Sequence, residues 1–245
     1  MIFQKKNRFK PLYKQFLKLR ENVQNRPKIL KFKKQKWRKL IQYTEKKLKR
    51  YKKFRPQDQT QYLVSKYPTR GAAYKKRFLN TLRVTKKFNL YYGGMSKNYI
   101  KKQIRFILNK KQTQAQNSFE NLNLLFLEHF ESRLDTVLYR SKFARSMRNA
   151  RQLVVHGKIF INKTQIKTPY YLLKIGDIIQ VNPNYSYLIE ENLKQIQTWP
   201  LPAKHLLINY KTMEIIFGDI KKTNLSVNFL FYLDIEKILI NYYRH

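Results

Sequence analysis

The 245-residue chain has no cysteine, which removes disulfides, zinc fingers, iron–sulfur clusters and thiol catalysis together. Its four histidines show neither HExxH nor HxH spacing, so little is left for a metal site. Carboxylates are scarce: 14 Asp+Glu stand against 53 Lys+Arg, a formal net charge of +39. No apolar run approaches the roughly 18 residues that cross a bilayer. The greasiest stretch, Asn228 to Tyr243, is broken by Asp234, Glu236 and Lys237. No metal, cofactor, catalytic residue or membrane partner is expected.

What is present points elsewhere. A body carrying this charge repels itself unless a polyanion neutralises it. Phosphate is the obvious neutraliser, so nucleic acid is the expected partner. The chain is not a disordered basic tail, because it is 42% hydrophobic and 15% aromatic; charge-rich disordered segments are poor in aromatics. That is enough apolar material for one or two small cores. The N-terminus has no acidic residue before Glu21, but it is Lys-rich and its first serine is Ser65. Transit peptides are rich in Arg and Ser, so a removable presequence is not expected. Lys, Asn, Ile, Tyr and Phe account for 111 residues, whereas Gly, Ala and Pro total 20. This bias reads as an A+T-rich coding sequence, as organelle genomes often have.

The charge is uneven. Residues 1–115 hold 36 basic and 3 acidic residues, net +33, and residues 116–245 hold 17 and 11, net +6. In the first part Trp37, Leu40, Ile41, Thr44, Leu48 and Tyr51 follow a three-to-four residue period, predicting an amphipathic helix from about Lys28 to Tyr51. Tyr74, Phe78 and Leu82 predict a helix over 72–90, stopped by Gly93-Gly94. Ser96 then caps a helix to about Lys111 with Ile100, Ile104 and Ile107/Leu108 on its apolar stripe. The stretch Phe54 to Thr69, with Pro56 and Pro68, reads as loop. Like charges on these helices destabilise them by roughly 0.2–0.5 kcal/mol per adjacent pair. With only Glu21, Glu45 and Asp58 to pair them, a phosphate-bound surface is favoured over a merely solvated one.

Residues 124–181 are the most informative. Leu127, Phe130, Leu134, Val137 and Leu138 form a helical stripe, followed by a break at Ser141–Arg145. Ser146 can cap a second helix, with Ala150, Leu153 and Val154 inward and Gly157 placed to end it in the left-handed conformation. Ile159–Ile161 begins a strand, Asn162-Lys163 sits where a hairpin turn belongs although Gly is usual second, and Lys174–Asp177 turns into a last strand, Ile178–Val181. The expectation is two helices and a small curled sheet. Arg148, Arg151 and Gln152 fall opposite Leu153; Arg145 precedes them and His156 and Lys158 follow. Such a cluster can grip phosphates across a shallow groove, as RNA helices require. Asp135 is expected to orient an arginine or cap a turn, and Asp177 to serve a turn. Of Tyr91, Tyr92, Tyr170 and Tyr171, which could stack on bases, Tyr92 is the candidate chosen.

The ordered run Ser132-Arg133-Leu134-Asp135, Tyr139-Arg140, Phe143-Ala144, Ser146, Ala150 to Val154, His156-Gly157, Ile161-Asn162 and Gly176-Asp177 resembles the RNA-binding module named after small-subunit ribosomal protein four. The flanks are also similar to that family: Thr85 to Gly93 before the module, and Leu201-Pro202, His205 to Thr212 and Ile215 to Gly218 after it. Leu225-Ser226 and Leu239–Tyr243 match the family's C-terminal helix more weakly, and Asn22–Arg38 only faintly. The resemblance departs from the family at Lys142, where Gly is common before Phe143, at Met147, which replaces a frequent Arg, and at Asn149, which replaces the Glu of a capping box. A Gly-rich or zinc-binding N-terminus is absent, which favours a mitochondrial form.

The resemblance implies an α+β fold: a basic N-terminal extension (1–70), a helical domain (71–123), a compact αα-βββ RNA-binding module (124–182), and a C-terminal hairpin and helix (183–245) packing back on the helical domain. It implies small-subunit rRNA, at a junction of the five-prime domain, as ligand. Roles in subunit assembly and decoding accuracy follow, with neighbouring ribosomal proteins, including protein five, and mRNA at its entrance as partners. The location implied is the mitochondrial matrix, in an organelle-encoded protein. Arg133, Arg140, Lys86, Lys87 and Lys97 join the residues above as expected RNA contacts. An RNA-modifying enzyme of the pseudouridine-synthase kind would use the same module, but would need a catalytic domain of some 150–200 residues, and outside the module the sequence reads as helical basic segments and one hairpin. A DNA-compacting protein would explain the charge and not the module.

Overall fold

The computed structural model describes residues 13–23, 31–50, 74–113, 122–194, 203–220 and 233–243. The expected loop at Phe54–Thr69 lies outside them, as do Leu201-Pro202 and Leu225-Ser226. The chain divides into two compact units, 1–95 with 228–245, and 96–227.

The described helices of the first unit are α1 (Tyr13–Leu19), α2 (Gln35–Arg50), α3 (Tyr74–Tyr91) and the C-terminal α9 (Ile235–Tyr243). Trp37 and Leu40 are buried on α2, Phe16 and Leu19 on α1, and Val84, Phe88, Leu90 and Tyr91 on α3. The α9 helix lies along α3, with Asn241 donating to Thr85 Oγ1 at 3.2 Å and the Tyr242 hydroxyl 3.3 Å from Asn89 Oδ1. Burial on α3 begins in that stretch; Phe78, placed on the apolar stripe by its spacing, is exposed instead. The helix ends as Gly93-Gly94 predicts. Gly93 is left-handed, its N–H donates to Leu90 O at 3.2 Å, and Gly94 donates to Asn89 O at 2.7 Å.

The second unit opens with α4 (Lys97–Thr113), whose Ile100, Ile104 and Ile107 are buried and whose start is capped by Ser96 Oγ accepting from Tyr99 N–H at 3.2 Å. The stripe from Leu127 to Leu138 belongs to two helices, α5 (Leu122–Glu131) and α6 (Leu134–Arg140). The chain extends at Arg133 between them, bridged to Leu172. Then α7 (Met147–Val155) begins on Ser146, whose side chain accepts from Asn149 N–H at 3.2 Å. Asn149 returns a weaker bond, its Oδ1 accepting from Arg145 N–H at 3.4 Å, one residue short of the usual partner. The α7 helix closes with Gly157 at φ +67°; Gly157 N–H reaches Val154 O at 2.9 Å and Lys158 N–H reaches Leu153 O at 3.1 Å.

Three strands follow, β1 (Ile159–Ile161), β2 (Thr164–Gln165) and β3 (Ile178–Val181), then α8 (Ser186–Lys194), β4 (Leu206–Asn209) and β5 (Glu214–Phe217). All pair antiparallel in the order β2-β1-β3-β5-β4. The β4–β5 hairpin, grouped by sequence with the C-terminal helix, therefore extends the module's own sheet, because β3 offers it a free edge. Ile159, Ile161, Ile179, Val181, Ile215 and Phe217 alternate into the core.

Two turn positions keep a left-handed backbone with lysine in it: Lys142 at φ +68° and Lys163 at φ +68° after Asn162 at +47°. A non-glycine residue there costs roughly 1–2 kcal/mol, and glycine recovers most of that after its own entropic cost of about 0.5–1 kcal/mol. Exposed Lys163→Gly is therefore expected to stabilise the protein by about 0.5–1 kcal/mol. Gly157→Ala should destabilise it by about 1–2 kcal/mol, because an added Cβ would also stand 2.5 Å from Gln165 Nε2, the group that donates to Gly157 O. Thermal unfolding of the two variants would show opposite shifts.

Candidate nucleic-acid interface

The break at Ser132-Arg133 exists to bury charge. Arg133 turns inward and grips Asp135 with two bonds, Nε to Oδ1 at 3.0 Å and Nη2 to Oδ2 at 2.7 Å. Its remaining Nη1 donates to the Tyr99 hydroxyl at 2.8 Å. Asp135 is fully buried and also accepts from Arg151 Nε at 2.8 Å. One carboxylate thus serves two guanidinium groups and ties the start of α6 to α7. Burial pushes the Tyr99 phenol above its usual value, and the Arg133 cation beside it partly offsets the shift.

A second inward pair ties the other end of α6. Arg140 donates from Nε and Nη2 to Glu131 at 2.9 and 2.8 Å, with the carboxylate fully buried. In the first unit, Lys87 meets Glu21 at 2.6 Å, both nearly buried. Such pairs are costly to break, about 3–5 kcal/mol, because the partner is left as an uncompensated buried charge.

These contacts sort the expected RNA-binding residues. Arg133, Arg140 and Lys87 face inward on carboxylates. Tyr92 is a core residue with no exposed surface, its ring 4.8 Å from Phe88 and 5.1 Å from Tyr91; a fully covered ring cannot stack on a base, so that assignment is corrected. Lys86 is exposed on α3, and Lys97 is exposed at the start of α4. On α7, Arg148 and Arg151 are half-buried and Gln152 and His156 are exposed, so one side of the helix presents Arg148, Arg151, Gln152 and His156 in succession. Lys158 continues the row with its ammonium 4.6 Å from the centre of the Tyr185 ring. Arg145 precedes it on an exposed pair with Glu191 at 3.0 Å, a contact of the kind worth under about 1 kcal/mol and readily exchanged for phosphate.

Sequence reasoning missed the inward role of Glu131, which no local pattern marks. It also undervalued Tyr170, which is exposed. The turn residue Asp177 is placed as expected: its Oδ2 accepts from Lys174 N–H at 2.8 Å and its Oδ1 from Asn162 Nδ2 at 3.0 Å. Among the described residues no cluster of three His, Asp or Glu could hold a metal, and no helix is long and apolar enough to cross a membrane.

Two helices joined through an Arg133–Asp135–Arg151 cluster and followed by an antiparallel sheet define the class: residues 132–179 match the S4 domain. Relatives extend the match beyond it. Small ribosomal subunit protein uS4 of Aquifex aeolicus is 34% identical over 119 residues, 48% of this chain and 53% of that protein. The uS4 protein of Carsonella ruddii is 38% identical over 104 residues, 42% of this chain and 48% of its own length. That of Mesomycoplasma hyopneumoniae is 32% identical over 128 residues, 48% of this chain and 62% of its own. The chain spans about half the length of the curated relatives it matches, and over that stretch it is similar to small ribosomal subunit proteins named uS4.

Two outcomes test the buried chemistry. Asp135→Asn leaves two arginines facing a neutral amide and should cost about 3–5 kcal/mol in denaturant unfolding. The second concerns His205, buried against Phe217 with ring centres 5.9 Å apart and with no hydrogen-bond partner for Nε2 among the described residues. Burial holds its pKa below the usual 6.5; Glu131 pulls it up and Arg140 pushes it down. Since the folded value lies below the unfolded one, the stability tied to neutral His205 is complete above about pH 6.5 and is lost as pH falls through the depressed value. His205→Leu should flatten the decline in stability between about pH 7 and pH 5.

Proposed function

We propose that this chain is a structural, rRNA-binding constituent of a small ribosomal subunit. The observation that carries the reading is the α7 face: Arg148, Arg151, Gln152 and His156 on one side of a capped helix, continued by Lys158, in a protein of net charge +39. Arginine offers phosphate a fixed two-pronged grip, and the wide, shallow groove of an RNA helix is read through phosphates and 2′-hydroxyls. The exposed Arg145, Lys86 and Lys97 supply further phosphate contacts. The names of the relatives described above, small ribosomal subunit proteins, support a role in the subunit.

The finer assignment follows from the family resemblance. The RNA site is a helix junction in the five-prime domain of small-subunit rRNA, engaged early in assembly. The protein then stands near the mRNA entrance beside protein five and influences decoding accuracy. The excess of Lys, Asn, Ile, Tyr and Phe over Gly, Ala and Pro, and the absence of a Gly-rich or zinc-binding N-terminus, support an organelle-encoded mitochondrial form.

The binding claim is tested on a five-prime-domain rRNA transcript. Each phosphate contact adds about 0.7–0.9 to the slope of log affinity against log salt. Arg148→Ala with Lys158→Ala should weaken binding and reduce that slope by about 1.4–1.8 in filter-binding titrations. An unchanged slope would exclude this face. Co-sedimentation with the small subunit of an organelle lysate checks the location, and base modification by the purified protein would favour an enzyme instead.

A further inference from the structure

The segment between β2 and β3 is fixed to the start of α6 by backbone bonds. Pro169 O accepts from Asp135 N–H at 3.1 Å, Tyr171 O from Leu134 N–H at 2.9 Å, and Leu173 N–H donates to Ser132 O at 2.9 Å. A turn closes within it, Tyr171 N–H to Thr168 O at 3.2 Å. The backbone of Tyr170 is thereby held on both sides, while its side chain is left outside: the residue is 59% exposed. Exposed aromatics standing singly are ordinary. This one differs in what surrounds it.

The turn that carries Tyr170 binds the backbone of Asp135 itself, the carboxylate that holds Arg133 and Arg151. Tyr99 joins the same cluster, its hydroxyl accepting from Arg133 Nη1 at 2.8 Å. Among the described residues no ring packs on Tyr170. Arg151 keeps a quarter of its side chain exposed while Asp135 holds its Nε. An anchored, open aromatic side chain therefore stands on the turn bonded to Asp135, whose carboxylate holds that guanidinium.

We propose that Tyr170 is the stacking platform for one unpaired RNA base, from a bulge or loop, whose adjoining phosphate is bound at Arg151. The proposal rests on the RNA-binding reading above and adds to it a site for a single-stranded nucleotide. Sequence-specific RNA recognition works this way: a base is splayed from its helix, laid on an aromatic ring and held by neighbouring polar groups. A guanidinium held from the same anchor favours the phosphate, and the ring, having a face for any base, sets no strong base preference.

The test uses the full chain, the five-prime-domain rRNA transcript and equilibrium filter binding over a range of salt. Tyr170→Ala should lose roughly 5- to 100-fold in affinity with the salt slope unchanged, since no phosphate contact is removed. Tyr170→Phe should bind as the parent does, and Tyr170→Leu, which keeps apolar bulk without a π face, should be weakened as Ala is. The thermal midpoint of all three should match the parent, because the ring is outside the core. Parental affinity for Tyr170→Ala or Tyr170→Leu, while Arg148→Ala still flattens the slope, would overturn the stacking site and leave the RNA reading standing. An absence of binding by the parent chain would overturn both.

Discussion

Carboxylates are the limiting resource of this protein. With 14 of them against 53 cations, general neutralisation is out of reach, and the described structure concentrates several where a charge would otherwise be most expensive. Glu21, Glu131 and Asp135 are buried, each against a cation that the fold draws inward: Lys87, Arg140, and the pair Arg133 and Arg151. A buried ion pair contributes little net stability when compared with apolar packing, but its geometry is demanding. Its use here is to fix orientation. Both ends of α6 are clamped, and α7 is set against it by Arg151. On α7 this leaves Gln152 exposed and Arg148 and Arg151 half-buried on the side away from Leu153.

How much of this was legible in the sequence depends on the range of the interactions. The caps were local: Ser146, Gly157 and Gly93-Gly94 sit where spacing places them, because a helix end is satisfied within a few residues. The module's family was legible too, since its ordered run fixes residue types at many positions. The fate of individual charges was not. Arg133 and Arg148 look alike in sequence; one is inward on Asp135 and the other on the α7 face, and what separates them is a break in the helix and a bridge to Leu172, thirty-nine positions on. Tyr92 and Tyr170 make the same point in reverse. The first lies in a turn that folds into the core, the second in a turn pinned to α6 with its side chain outward.

Two lysines in left-handed turns show a different departure. Lys142 and Lys163 hold backbone angles that glycine adopts at least cost, and the chain keeps the turns without it. Lys163 is supported by Asn162, which bonds Asp177 and accepts from Ile178 N–H at 3.0 Å. Lys142 lies over the Tyr139 ring at 5.6 Å, and burial lowers its pKa, with Arg140 adding to the effect. A coding bias away from glycine, together with a demand for cations, would place lysine at such positions wherever neighbours can carry the strain.

The continuous sheet sets a limit on taking the molecule apart. The S4 domain match ends at Ile179, inside β3, yet that strand is paired on both sides, to β1 and to β5. Cutting the polypeptide after the matched stretch would bare a row of amide and carbonyl groups alongside Ile178 and Ile179, which is the template on which separate chains add strand to strand and aggregate. The hairpin of β4 and β5 thus acts as a built-in cover, and a fragment that keeps β3 paired on both sides has to run through Phe217.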